Sequence, residues 1–318
     1  KGYLPYAKAA YDTMTLEQVV EDKCKYSGRD PKSFLSLDEV LKMDDISGEN
    51  GRFVRVITAA NGKKAFLRIY KDNHVYPYES QISTALKTLL QEAPMVGFVT
   101  GHKERSGMDM GEKGYGTFAS NKTFRYSLEN SGYGVREISL EHPVAEDINI
   151  IVLADMRSDF TEEEFRNFDA YLERGGNLFI LGEPKRQQFM NPVIERLGLR
   201  FADGIIVSPS EVNLDDLVAA NIKEGAAKVS ENYIRYFRSG YSIMTPSACA
   251  VEVIDSAKGF EITEVLASAG KGSWVEKETT DFINEKSVLN PAVGEVEKSN
   301  SIMLYLTRPV NNKEQRIF

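Results

Sequence analysis

The sequence predicts an α/β fold built on a mainly parallel, doubly wound sheet, and three observations carry that prediction. From residue 94 onward, short apolar runs at 95–100, 135–140, 149–154 and 177–181 alternate with helix-patterned segments. The run Asn149-Ile150-Ile151-Val152-Leu153-Ala154 is nearly all apolar, as a strand covered on both faces should be. Strand–helix–strand units at this spacing imply right-handed crossovers, which set successive strands parallel.

The elements follow in order. Thr15 with Gln18 and Ser36 with Glu39 are capping-box pairs, which predict two short helices in the first fifty residues. Residues 53–57 and 65–70 are β-rich runs around Asn61-Gly62 and predict a hairpin. Over 79–91, Ile82, Ala85, Leu86 and Leu89 recur at helical spacing. After the first strand of the main run, 118–130 reads as a helix. Thr161 and Glu164 repeat the capping pattern ahead of the stripe Phe165, Phe168 and Leu172, and Gly175-Gly176 stops that helix. A further helix is expected over 187–197 and another over 215–228, with strands over 241–254 and 260–268. Gly270-Lys271-Gly272-Ser273-Trp274 reads as an exposed turn, and residues 302–306 and 316–318 as a last strand pair around Asn311-Asn312. These divide the chain into N-terminal helices with a hairpin (1–93), a core α/β domain (94–210) and a C-terminal α/β segment (211–318).

Composition bounds the function. With 318 residues, 42% of them hydrophobic, the chain can bury a large core. Its 39 Lys and Arg against 47 Asp and Glu leave a net charge of −8, which argues against nucleic acid or an anionic membrane surface as a partner. No apolar run reaches the roughly 18–20 residues of a membrane-spanning helix. The start, Lys1-Gly2-Tyr3-Leu4-Pro5, lacks the apolar core of a signal peptide, so the chain as given is expected to be soluble, as an excised domain would also be. Cys24 and Cys249 stand in no metal-ligand spacing; two separate thiols, not bonded to one another, are expected.

In a parallel sheet, ligands bind beyond the carboxyl ends of the strands. Three loops there are polar: Thr100-Gly101-His102-Lys103-Glu104-Arg105-Ser106, Asp155-Met156-Arg157-Ser158-Asp159 and Gly182-Glu183-Pro184-Lys185-Arg186-Gln187. His102, Glu104, Arg105, Asp155, Arg157, Ser158, Glu183 and Arg186 are therefore the candidate ligand- or partner-binding residues. The same charges could instead brace the loops against one another. No GxSxG nucleophile elbow and no HExxH zinc motif is present, so catalysis would have to centre on His102 with Glu104. Gly111-Glu112-Lys113-Gly114-Tyr115-Gly116 matches no phosphate-cradle spacing and reads as a flexible loop. No cofactor or metal is expected, and Trp274 is a candidate stacking or interface aromatic.

Four stretches resemble the GldG-type, gliding-motility-associated auxiliary proteins of ABC transporters. Thr100-Gly101-His102-Lys103-Glu104 is similar to that family's TGHGE loop, with Lys103 where the family has Gly. Residues 154–164, from Ala154-Asp155-Met156-Arg157-Ser158-Asp159 to Glu164, are similar to its ADPRSDFSEEE. Tyr171-Leu172-Glu173-Arg174-Gly175-Gly176-Asn177-Leu178 and Gly182-Glu183-Pro184 with Met190-Asn191-Pro192 follow its YLdrGGNL and GEP…NP segments. The resemblance covers about 95–207 well, is weaker after Asp215, and is weakest in the first fifty residues. It implies a membrane-anchored protein whose large soluble region lies outside the cytoplasmic membrane, in the periplasm, working with an ABC permease and ATPase; the role expected of it is to couple the transporter to a substrate or an envelope component. It also implies a class I glutamine-amidotransferase-like fold without the nucleophilic Cys, hence no enzyme. A small-ligand or glycan-binding sensor, and a hydrolase using His102 and Glu104, are the alternatives.

Overall fold

The computed structural model describes residues 13–49, 52, 54–70, 74, 76–255 and 258–318. Phe53 and the start at Lys1 lie outside the described residues. The chain forms two compact units, Lys1–Val54 and Arg55–Phe318.

In the first unit, α1 (Leu16–Ser27) and α2 (Leu37–Met43) are the two expected helices. Both capping boxes form: the Gln18 amide donates to Thr15 Oγ1 at 3.3 Å and the Thr15 amide to Gln18 Oε1 at 2.9 Å, with Ser36 and Glu39 matching them. These bonds satisfy donors that a helix start otherwise leaves unpaired.

The second unit begins at the second residue of β1 (Val54–Thr58), which forms a hairpin with β2 (Lys64–Arg68), turned by Gly62 at φ 84°. Helix α3 (Glu79–Leu90) buries Ala85 and Leu89 against Ala65 and Leu67, whereas Ile82 and Leu86 on the same stripe stay exposed.

Among the described residues the main sheet has nine strands, in the order β10-β9-β12-β14-β15-β6-β5-β3-β4. Its parallel part is β4 (Gly134–Ile138), β3 (Met95–Val99), β5 (Ile148–Ala154), β6 (Asn177–Leu181) and β15 (Lys313–Ile317). From β15 outward, β14 (Ser301–Val310), β12 (Glu261–Ala267), β9 (Leu217–Ile222) and β10 (Ser242–Pro246) pair antiparallel. The α/β class and the parallel core are as the sequence predicts, and the sheet as a whole is mixed. The C-terminal hairpin around Asn311-Asn312 inserts β15 between β6 and β14, so the junction of the two halves lies inside the sheet. Two short pairs stand beside it: β7 (Leu199–Phe201) with β11 (Val251–Val253), and β8 (Ile205–Val207) with β13 (Trp274–Glu276).

Alternation along β5 sorts the core. Ile151 and Leu153 face α5 (Glu162–Glu173) and α6 (Gln187–Ile194) together with Phe168, Leu172 and Met190. Val152 and Ala154 face the opposite layer with Val96, Phe98 and Ala119. Each such buried aliphatic side chain contributes roughly 1.5–3 kcal/mol relative to exposure.

Three expectations are corrected. Residues 118–130 form no helix beyond α4 (Gly116–Ala119) and a single turn near 129–131. The buried Asn130 side chain donates through Nδ2 to the Asn121, Lys122 and Phe124 carbonyls, taking acceptors a helix would need. Within 215–228 the chain forms strand β9 and only then α7 (Ala226–Val229), because Val218, Ala220 and Ile222 are buried while Ala219 and Asn221 are exposed. That period of two outweighs the helix propensity of the alanines. Finally, Trp274 is buried among Ile205, Val207 and Phe282, and its indole donates to Glu276 at 3.1 Å, so it presents no stacking face to solvent. Cys24 and Cys249 are both free and buried.

Candidate functional site

The loops that follow β3, β5 and β6 meet at one edge of the parallel core, and backbone bonds lace them together. The Asp155 amide donates to the Leu181 carbonyl, Arg105 to Ala154 and Arg157 to His102, each at 2.9 Å. Every one of these loops holds a non-glycine residue in the left-handed region: Lys103 at φ 59°, Asp155 at φ 54° and Lys185 at φ 65°. Such backbone costs of order 1 kcal/mol or more per residue and clusters where surrounding contacts over-determine it.

The candidate residues divide into two constellations. In the first, the buried His102 ring lies between carboxylates: Nδ1 is 3.3 Å from Glu104 Oε1 and Nε2 is 3.3 Å from Glu164 Oε2. The His102 amide also donates to Glu104 Oε2 at 2.7 Å, and the ring meets Phe160 edge-on at 5.0 Å between centroids. Glu164 is at the same time the capping residue of α5, accepting from the Thr161 amide at 2.7 Å and hydroxyl at 2.8 Å. Burial pushes its carboxyl up, but the Thr161 hydrogen bonds and the His102 charge outweigh this and hold it below the ordinary 4.5. Both ring nitrogens are thus engaged, and the imidazole acts as a brace between the first loop and the start of α5.

The second constellation centres on Asp155, whose side chain is 2% exposed. Its Oδ2 accepts from Arg157 at 2.9 and 3.3 Å, Arg105 Nε lies 3.9 Å from the same oxygen, and Arg186 Nε lies 3.6 Å from Oδ1. Arg105 also pairs with Glu183. Three guanidinium groups therefore share two carboxylates, an excess of one positive charge. Asp155 Oδ1, Arg105 Nε and Arg186 Nε are shut off from solvent without a hydrogen-bond partner. The planar guanidinium fork suits carboxylate or phosphate oxygens, so this arrangement can receive an anionic group. Ser158 sits half-buried beside it.

Sequence reasoning missed two participants. Glu164 was readable only as a cap. Tyr115 belongs to the glycine-rich segment expected to be flexible; instead its amide donates to Ser106 at 2.8 Å, and Gly114 packs so tightly that a Cβ there would lie 2.1 Å from the Asp109 carbonyl oxygen. Burial raises the Tyr115 hydroxyl, with Arg105 lowering and Asp155 raising it further, which puts this phenol within the field of the cluster.

No group of three or more metal-binding side chains is gathered among the described residues, and no described helix is long and apolar enough to cross a membrane. No curated protein matches the chain. Among solved structures, the N-terminal domain of mmIFT52 is 15% identical, with 70% of this chain and 83% of that chain covered and a TM-score of 0.45. A ThuA-like protein from Parabacteroides merdae ATCC 43184 is 12% identical over 71% of this chain and 78% of that one, with a TM-score of 0.39. At such scores neither likeness bears on what the chain binds. A family model described as an ABC-type uncharacterized transport system matches residues 93–281, a span that contains all three loops and both constellations. The chain belongs to that family and is an auxiliary component of an ABC-type transport system.

Proposed function

We propose that the chain is a non-catalytic, extracytoplasmic module of a membrane-anchored transporter subunit of the gliding-motility or export type. It presents the three-loop edge to an acidic group on the transported substrate or on an envelope component, beside the permease and ATPase. The observation that carries the reading is the excess of guanidinium charge around Asp155, where Arg105 Nε and Arg186 Nε lie 3.9 and 3.6 Å from the carboxylate without a hydrogen bond. Two features support a binding role over a hydrolytic one. His102 has both nitrogens on carboxylates, and burial pushes the Cys249 thiol up to about 12, far from a reactive thiolate. Placement outside the cytoplasm is supported by the resemblance of residues 100–104, 154–164 and 171–178 to GldG-type proteins.

Purification of the full-length gene product from membranes in mild detergent tests this. Permease and ATPase subunits are expected to co-purify, and Arg157→Ala with Arg186→Ala is expected to leave that assembly folded while abolishing retention of the acidic substrate or envelope component. Failure to recover any transporter subunit overturns the auxiliary role as drawn here, and unchanged retention in the double variant overturns the edge as its contact.

A further inference from the structure

Beside the arginine cluster lies an apolar recess of about 420 Å³, and the loop Gly182-Glu183-Pro184 forms a wall of it. Glu183, the partner of Arg105, therefore stands at the boundary between recess and cluster. The recess borders Ile317 and Phe318, where β15 joins the parallel to the antiparallel half of the sheet. Its remaining wall is mostly apolar, with Met244, Met303, Leu306, Cys249, Phe201 and Phe318, and Thr245 and Ser247 add two hydroxyls. Interiors are otherwise close-packed, and an apolar volume of this size falls in the range of small-molecule sites.

We propose that this edge binds a single-chain amphiphile with a monoanionic head, of the fatty-acid class. The proposal rests on the reading of the arginine cluster as an anion acceptor and adds the body of the ligand. The head meets Arg105, Arg157 and Arg186 and supplies the one negative charge that Asp155 and Glu183 leave unmatched. The three arginine side chains are 22–33% exposed, which leaves part of each guanidinium group open to the head. The chain runs past Glu183 into the recess against the methionines and Leu306. Glu183, 36% exposed at its side chain, is the element free to swing aside. Met side chains suit a chain of variable length because they repack at little cost.

Calorimetric titration of the purified chain with butyrate, octanoate, dodecanoate and octanol tests the assignment. Affinity for the carboxylates is expected to rise roughly fourfold per methylene until the recess is filled. Octanoate is expected to bind at least about tenfold more tightly than octanol, a preference lost in Arg105→Gln with Arg157→Gln. Dodecanoate is expected to raise the melting temperature of the unaltered protein and butyrate at the same concentration to leave it nearly unchanged, so the result does not depend on a variant's folding. Butyrate binding as tightly as dodecanoate, with loss in the arginine variant, overturns the amphiphile and leaves the anion acceptor standing. Equal binding of octanol and octanoate overturns the head assignment. Absence of binding by every member, with transporter subunits still co-purifying, overturns the proposal and not the auxiliary role.

Discussion

His102 Nε2 stands 3.3 Å from Glu164 Oε2, the same oxygen that accepts from the Thr161 amide at 2.7 Å. One carboxylate oxygen thus ties the loop after β3 to the start of α5. Glu164→Gln keeps the shape of the cap but removes the charge that both His102 and the Thr161 donors meet, and is expected to cost about 1–3 kcal/mol at neutral pH. Because the folded-state carboxyl lies below 4.5, its stabilisation is fully present above the ordinary carboxylate range and is lost as the pH falls through the lower folded value. Wild type and variant should therefore differ in melting temperature at neutral pH and converge in acid; a gap that persists in acid would assign the loss to packing instead.

Asp155 and Arg157 should respond unequally to truncation although they form one pair. Asp155 is buried and serves three arginines, so Asp155→Ala leaves those charges crowded without their shared acceptor and is expected to cost about 2–3 kcal/mol. Arg157 is 33% exposed and can be replaced as Asp155's partner by Arg105 and Arg186, so Arg157→Ala is expected to cost about 0–1 kcal/mol. Urea midpoints for the two variants decide it, and equal losses would mean that the cluster acts as a single rigid unit.

Local signals in the chain foretold the parts of this fold that depend on them, and missed those that depend on distant partners. Thr15, Ser36 and Thr161 were readable as caps because their partners lie three residues on. The convergence of the three polar loops followed from strand alternation alone. The second use of Glu164 was not readable, since nothing near it in sequence announces His102. The strand β9 was obscured because Ala219 and Ala220 suit a helix and only pairing with the distant Ser242–Pro246 and Leu266–Ala267 selects the alternation. Asn191 shows a motif with a structural meaning: its side chain exchanges hydrogen bonds with Phe201, at 2.9 Å to the amide and 3.2 Å to the carbonyl, and so fixes β7 to α6.

Lys103 occupies the left-handed region at φ 59°, where a side chain is disfavoured and glycine is not. The family resemblance places Gly there. Lys103→Gly relieves backbone strain but gives the unfolded chain more freedom, so the net change is expected to stay within about 1 kcal/mol of zero and to lean towards stabilisation. Denaturant midpoints measure this; a loss beyond that range would show that the Lys103 side chain makes a contribution the backbone argument leaves out.

The turn that inserts the last strand is a two-residue loop, with Val310 paired to Lys313 and Asn311 and Asn312 at φ 49° and 63°. Positive φ at both positions is the type I′ geometry that matches strand twist, and Asn-Gly serves it better than Asn-Asn. Register matters here because β15 lies inside the sheet. A slip of one residue would turn Gln315, which is 0% exposed, away from the Leu172 and Gly176 carbonyls it meets at 3.1 and 2.6 Å. Asn312→Gly is expected to raise stability by up to about 1 kcal/mol, and Asn312→Val to lower it by about 1–2 kcal/mol, the cost of a branched side chain in left-handed backbone. Urea midpoints give the magnitudes. Amide exchange at Phe318, whose amide donates to Leu178 at 3.0 Å inside the sheet, gives the location. Slower exchange in Asn312→Gly and faster exchange in Asn312→Val would show that the turn holds the junction of the two halves, whereas a change in midpoint with exchange at Phe318 unmoved would confine its effect to the hairpin tip.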